Sequence, residues 1–346
     1  MKKASVSVLF LLAALTLTNG LTYFVASRQS KDCGDLSADL SALNASNSPD
    51  TNEPGCRYNI VRLSGYKYIH PLMYAEPVCE SDYLSPIKRD IESIITSYKV
   101  SGVIRSASVY LREFNNGEWI TIDDQKRYSP GSLLKVPELI TFIKMNESRP
   151  GLLDSRIVYD RPLVTNKTST YVSKSIQLGK SYTIRELLHY MIAYSDNNAT
   201  YLLNQFMDIP TFKKVFTDLG LKEPDMTAAE YGITAKEYST FMKVLYNGSY
   251  LSLKDSEYCT ELLSECDFKK GLVAGLPPEC KIAHKFGEGG TSSNMHLGES
   301  GLIFANRSTY LLTVMTSGSE MEQLPQVIEA ISKAVYSKMA NHGTRK

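Results

Sequence analysis

Hydrophobic and polar positions change character several times along the chain, and each change marks a different element. Residues 4–27, ASVSVLFLLAALTLTNGLTYFVAS, form an apolar run preceded by Lys2 and Lys3 and followed by Arg28. A run of that length with a positive leading flank predicts either a signal peptide (1–27) cut near Val25, Ala26 and Ser27 or an uncleaved membrane anchor. In both cases the rest of the chain is expected outside the cytoplasm, in the periplasm or at the cell surface. Residues 28–57 are rich in Ser, Asn and Asp and poor in large apolar side chains, the composition of a polar linker. Aromatic and branched residues then return, so 58–84 is expected to pack on the main domain, 85–340, rather than fold alone.

Within that domain the pattern predicts a helix over 85–98, with Ser85 as cap and Pro86 at the first helical position. Two strands follow, 106–114 and 118–124, joined by an Asn-Asn-Gly turn. From Ser132 to about Cys266 the pattern is mostly helical. Thr183 with Glu186 and Thr234 with Glu237 fit capping boxes, and Gly220 and Gly248 sit where helices would end. Strands return near 281–287, 299–305 and 309–316, before an amphipathic helix over 322–339. Strands from both ends of the chain and helices from its middle predict one discontinuous α/β (α+β) domain. Its five-stranded antiparallel sheet would have the terminal helices on one face and part of the central helical block on the other, beside an all-helical subdomain.

Composition narrows the function mainly by exclusion. Lys plus Arg total 38 against 37 for Asp plus Glu, so no charge excess points to nucleic acid. Cys33, Cys56 and Cys79 precede the main domain, and Cys259, Cys266 and Cys280 come late. Three on each side is odd, so full pairing in an exported chain requires a bridge between the two regions. Cys259 and Cys266 lie about 10 Å apart along a helix, which leaves Cys266 with Cys280 as the easier late pair. No C-x-x-C occurs and the five histidines are scattered, so a metal site is not expected.

The chemistry gathers in YSPGSLLKVPELI, 128–140. Positions three apart share a helical face, so Lys135 can bring its amine to the Ser132 hydroxyl as base to nucleophile. A helix starting at Ser132 leaves that residue's N–H unpaired at the positive end of the dipole, half of an oxyanion hole. The same field, with burial, disfavours a protonated lysine. Pro137 is expected to bend the helix. A second S-x-x-K, Ser85 to Lys88, falls on a plain helix start, so the motif alone is weak.

Two later stretches add to it. AYSDNNATYLL places Ser195, Asp196 and Asn197 between two helices, and IAHKFGEGG places Lys285 and Gly287 on a strand running into glycines. The ordered set S-x-x-K, S-D-N, K-x-G resembles the class A β-lactamase and penicillin-binding protein superfamily, a trio already recorded for that group, and the likeness runs over about 85–340. The resemblance implies an active-site serine acyl-hydrolase. Ser132 would be the nucleophile, Lys135 its base and Ser195 a proton relay. Asn197 would hold the substrate amide and Lys135, Lys285 would supply charge for the substrate carboxylate, and the N–H groups of Ser132 and Glu288 would bind the oxyanion. Asp196 is expected to be structural and Tyr194 a cleft wall; His284, His296 and Glu299 flank the predicted site strands, the two histidines as hydrogen-bonded wall residues. No cofactor is implied. The expected partner is a β-lactam or a peptidoglycan stem peptide, with the chain acting as a monomer.

Two departures qualify the resemblance. Phe286 stands where the family usually has a Thr or Ser whose hydroxyl helps bind the substrate carboxylate, a loss of about 1.5–3 kcal/mol of recognition. The segment between Ser195 and Lys285 is also shorter than usual around LGLKEPDMTAAEYGIT, 219–234, where class A enzymes carry the glutamate that frees the acylated serine. Glu223 and Glu230 are the candidates there, each with a surface acid as the plain alternative. Without a placed base, deacylation slows by about 10²- to 10⁴-fold. The alternatives are therefore a D,D-peptidase or other cell-wall amidase or esterase, favoured by the short loop, and a catalytically weak envelope binding protein, favoured by Phe286.

Overall fold

The computed structural model describes residues 57–340 except 163–168, 172, 226–230 and 306–307. The segments 1–27 and 28–56 lie outside the described residues. A short hairpin, β1 (Tyr58–Arg62) with β2 (Leu72–Pro77), opens the described chain. Helix α1 (Ser85–Val100) leads into β3 (Ser106–Glu113) and β4 (Trp119–Ile122). A 3-10 turn, Gly131–Leu134, runs directly into α2 (Lys135–Ser148). The central block continues with β5 (Arg156–Val158), β6 (Ser181–Thr183), α3 (Ile184–Ala193), α4 (Asn197–Asn204), α5 (Ile209–Asp218), α6 (Ala235–Tyr246) and α7 (Leu253–Ser264). Strands β7 (Lys281–Thr291), β8 (Asn294–Ala305) and β9 (Ser308–Gly318) precede α8 (Leu324–Met339).

The main sheet has the order β4-β3-β9-β8-β7, antiparallel throughout. Every residue of β3 is buried because both faces of the sheet are covered. Val109 and Leu111 join Leu312 and Val314 of β9 against Ile87, Ile91 and Ile95 of α1 and Val327, Ile328 and Ile331 of α8. On the opposite face Leu311 and Met315 meet a larger core contributed by the central helices. Strand alternation thus separates two cores. Among the described residues no helix is long and apolar enough to cross a membrane.

Both capping boxes form, Thr183 with Glu186 and Thr234 with Glu237, and Gly220 and Gly248 take the left-handed backbone just past α5 and α6. Several expectations need correction. Helix α1 is capped by Leu84, not Ser85, with the Ser81 hydroxyl accepting the Leu84 N–H. Strands β7 and β8 extend to a tight turn at 292–293 instead of stopping near Gly287. Pro137 falls in the first turn of α2, where a missing N–H costs little and no bend is required. Cys259, Cys266 and Cys280 are free thiols, so neither a Cys266–Cys280 bridge nor a bridge from the late region to the N-terminal segment forms. Cys266 is fully buried against His284, whereas Cys280 is half-exposed and its thiol faces the Lys281 carbonyl.

Candidate active site

Ser132 lies in the 3-10 turn, not in the α-helix, and Lys135 opens α2 three residues later. Residues three apart eclipse one another in a 3-10 turn, so both side chains still line one cleft of about 670 Å³. The turn can lie beside β7 because the facing backbones come very close. A Cβ on Gly131 (φ +51°) would sit 1.7 Å from the Glu288 carbonyl oxygen, one on Gly287 2.3 Å from the Pro130 carbonyl oxygen, and one on Gly289 2.6 Å from that of Ser129. The glycine run that suggested a strand end is what allows the strand to continue flat against the nucleophile turn. It also places the Glu288 backbone next to Ser132.

Across the cleft, Ser195 holds a left-handed backbone (φ +53°), an uncommon conformation for a residue other than glycine. Asp196 holds that turn. Its carboxylate accepts from Asn198 N–H at 2.9 Å, the Ser175 hydroxyl at 2.8 Å and Ile176 N–H at 2.9 Å, and it caps α4. Lys135 directs its amine to this turn and not to Ser132: it donates to the Ser195 carbonyl at 2.6 Å, the Ser195 hydroxyl at 3.2 Å and Asn197 Oδ1 at 2.9 Å. The reason is the density of acceptors there, where a buried ammonium can satisfy all three donors. Lys285 reaches the same hydroxyl at 3.0 Å and also donates to the Phe286 carbonyl.

Burial pushes the Lys135 amine down to about 7, helped by the positive charge of Lys285 and opposed by Glu138, Asp196 and Glu288. Burial likewise pushes Lys285 down to about 8, opposed by Cys266, Glu299 and Glu288. Behind Lys285, His284 hydrogen-bonds Glu299 at 2.7 Å and touches Cys266, all three fully buried. Glu299 also accepts the Leu272 N–H at 2.8 Å. His296 accepts the Ser129 N–H through Nδ1 at 2.9 Å, steadying the approach to the nucleophile turn.

Other residues singled out in the sequence are placed differently. Glu288 lines the cleft, but its carboxylate accepts from Thr170 and Tyr171 N–H at 2.8 and 3.1 Å. Phe286 turns away from Ser132 and stacks on Phe268 with centroids 4.2 Å apart. Tyr194 borders the neighbouring hollow that contains those two rings. Glu223 is exposed, paired with Lys213 of α5 at 3.0 Å, and does not line the cleft. Glu230 lies outside the described residues. Sequence reasoning missed Glu138, which lines the cleft three residues beyond Lys135. Its spacing was the available signal, masked by the apolar helix around it. Among the described residues, no group of three or more His, Cys, Asp or Glu could hold a metal.

This fold is that of the class A β-lactamases and related penicillin-binding proteins. The structure is similar to a PBP-A mutant solved as an acyl-enzyme complex with penicillin G, with a TM-score of 0.61 and 20% identity, covering 75% of this chain and 98% of the other. It is similar also to the class A β-lactamase from Mycobacterium abscessus, with a TM-score of 0.61 and 19% identity over 72% of this chain and 99% of that one. A β-lactamase from Phocaeicola vulgatus is 23% identical over 250 residues, 64% of this chain and 77% of the relative. Residues 86–339 match the β-lactamase enzyme family, well over half of the chain, and the chain belongs to that family. It is a serine hydrolase.

Proposed function

We propose that the protein acts outside the cytoplasm on β-lactams, through an acyl-enzyme on Ser132. The observation that supports this most directly is the Ser195 hydroxyl, shared by two buried lysine amines beside a cleft that also holds Ser132. Lys135, neutral in a large fraction of molecules near pH 7, takes the Ser132 proton as Oγ attacks the lactam carbonyl. The N–H groups of Ser132 and Glu288 receive the developing oxyanion. Ser195 passes the proton on to the leaving nitrogen, Lys285 supplies the positive field that attracts the substrate carboxylate, and Asn197 orients the substrate amide. The apolar segment 1–27 would export the chain or anchor it.

A second reading, a D,D-peptidase acting on a peptidoglycan stem peptide, is favoured by one feature: among the described residues, none from 219–234 lines the cleft. Intact-mass measurement after incubation with a labelled penicillin separates the two. A transient adduct with consumed drug supports the β-lactamase, a stable adduct the peptidase, and no adduct an envelope binding protein. Ser132→Ala abolishes the adduct. Labelling that survives in that variant would mean a different nucleophile.

A further inference from the structure

Hydrolysis of an acyl-serine needs a base for water, and among the described residues the cleft walls offer two carboxylates, Glu138 and Glu288. Glu288 is engaged by the two loop N–H groups of Thr170 and Tyr171. Glu138 is in a different state. It projects from α2 on the same face as Lys135, is 8% exposed, and lines the same cleft as Ser132. From α4, Asn204 hydrogen-bonds the carboxyl and, with Thr200 and Tyr201, completes that wall. The Oε2 atom of Glu138 is buried and has no hydrogen-bond partner. Native structures rarely leave such an atom unpaired, and those that do so often use it.

We propose that Glu138 is the general base that activates water for hydrolysis of the Ser132 acyl-enzyme, in place of a glutamate from the loop before α6. The inference rests on the acyl-enzyme reading above and adds the step that completes turnover. Water gives a proton to the Glu138 carboxylate as its oxygen bonds to the acyl carbon. The tetrahedral species collapses by breaking the bond to Ser132 Oγ, which takes a proton relayed from Glu138 through the neutral Lys135 amine. The relay leaves Glu138 as carboxylate and Lys135 neutral, as they were at the start of the cycle, and releases the acid. Burial pushes the Glu138 carboxyl up to about 7, opposed by the charge of Lys135 and the Asn204 hydrogen bond, which suits a group that must gain and lose a proton near neutrality.

The test follows acylation and adduct loss separately, by rapid-quench mass spectrometry with a penicillin, in the wild type, Glu138→Gln and Glu138→Asp. Because Glu138 favours the protonated form of Lys135, its removal does not deprive acylation of its base, and formation of the adduct itself shows that the variant is folded. Release from Glu138→Gln is expected to slow by about 10²- to 10⁴-fold and to lose its rise with pH, with partial recovery in Glu138→Asp. Unchanged release, or acylation and release falling together with the pH dependence kept, would overturn the assignment. Absence of any adduct on the wild-type protein would instead remove the acyl-enzyme reading on which it stands.

Discussion

Lys135 and Lys285 converge on one oxygen, the Ser195 hydroxyl, at 3.2 and 3.0 Å. Two buried amines so close cannot both hold full charge without mutual cost; burial first, and the Lys285 charge after it, lower the Lys135 amine. The consequence is functional: a lysine that is held partly neutral can accept the proton of a serine.

Replacing Lys285 with Ala removes that repulsion, so the Lys135 amine holds its proton to higher pH. The base form is then scarcer at pH 7, and the rise of the acylation rate with pH moves to the alkaline side. Each unit of displacement is worth about 1.4 kcal/mol, a factor of about ten in rate at neutral pH. Acylation by a labelled penicillin across pH 6 to 10 measures it. A slower rate with an unmoved profile would show that Lys285 acts only by binding substrate.

The same amine makes the fold less stable than it would otherwise be. Lys135 has a pKa of about 7 in the folded protein against 10.5 for the free side chain. Between those values the unfolded chain binds more protons, so this residue's contribution to stability improves as pH rises through the window and is at its worst below about 7. Lys135→Met removes the titration. Its melting temperature relative to the wild type is expected to climb steadily as pH falls from 10 to 7 and then level off, as read by thermal unfolding across that range. A difference that stays flat would mean the folded protein does not perturb this lysine.

Gly131 is held to glycine by two constraints at once, a positive φ and a Glu288 carbonyl oxygen that would lie 1.7 Å from any Cβ. In Gly131→Ala the strand and the nucleophile turn must separate, which pulls the Glu288 N–H away from Ser132. Acylation is expected to fall by about 10²- to 10³-fold, the usual effect of losing one oxyanion donor, while circular dichroism stays close to that of the wild type. Acylation at the wild-type rate would show that the Glu288 N–H is not an oxyanion donor.

The order of the main-sheet strands and of the helices flanking them, the two capping boxes and the three short motifs could be read from the sequence because each rests on local chemistry: a period, a cap, or a fixed spacing. What escaped depends on contacts between distant segments. The Gly287–Gly290 run looks like a strand end until the 129–133 turn is seen packed against it. Ser85 looks like a cap until Ser81 supplies the hydroxyl from outside the helix. Glu138 is a lone acid within an apolar helix, and only the approach of α4 shows that it lines the cleft beside Lys135. Cysteine counting led to a late bridge that the fold prevents, since Cys266 is committed to His284 in the interior.

The hairpin that precedes the main domain is fastened to it by one buried charge. Glu76, at the end of β2, is 3% exposed and accepts from Arg112 at 2.8 Å, from Lys243 at 3.2 Å and from the Tyr110 hydroxyl. Burial alone would raise its pKa, but Lys243, the Tyr110 hydroxyl and Arg112 together pull harder and hold it below the usual carboxylate value. A depressed carboxylate stabilises the fold above its unfolded pKa, and that stability is lost as pH falls through the folded value. Glu76→Ala leaves Arg112 and Lys243 without their counter-charge in the interior and is expected to cost about 3–5 kcal/mol at pH 7. Urea unfolding of both proteins at pH 7 and again below pH 4 checks magnitude and sign together: the gap should narrow in acid, where the wild-type carboxyl is itself being protonated. A gap below about 1 kcal/mol at pH 7, typical of an exposed ion pair, would show that the hairpin is held by its apolar contacts, Met73 among them, and not by this charge.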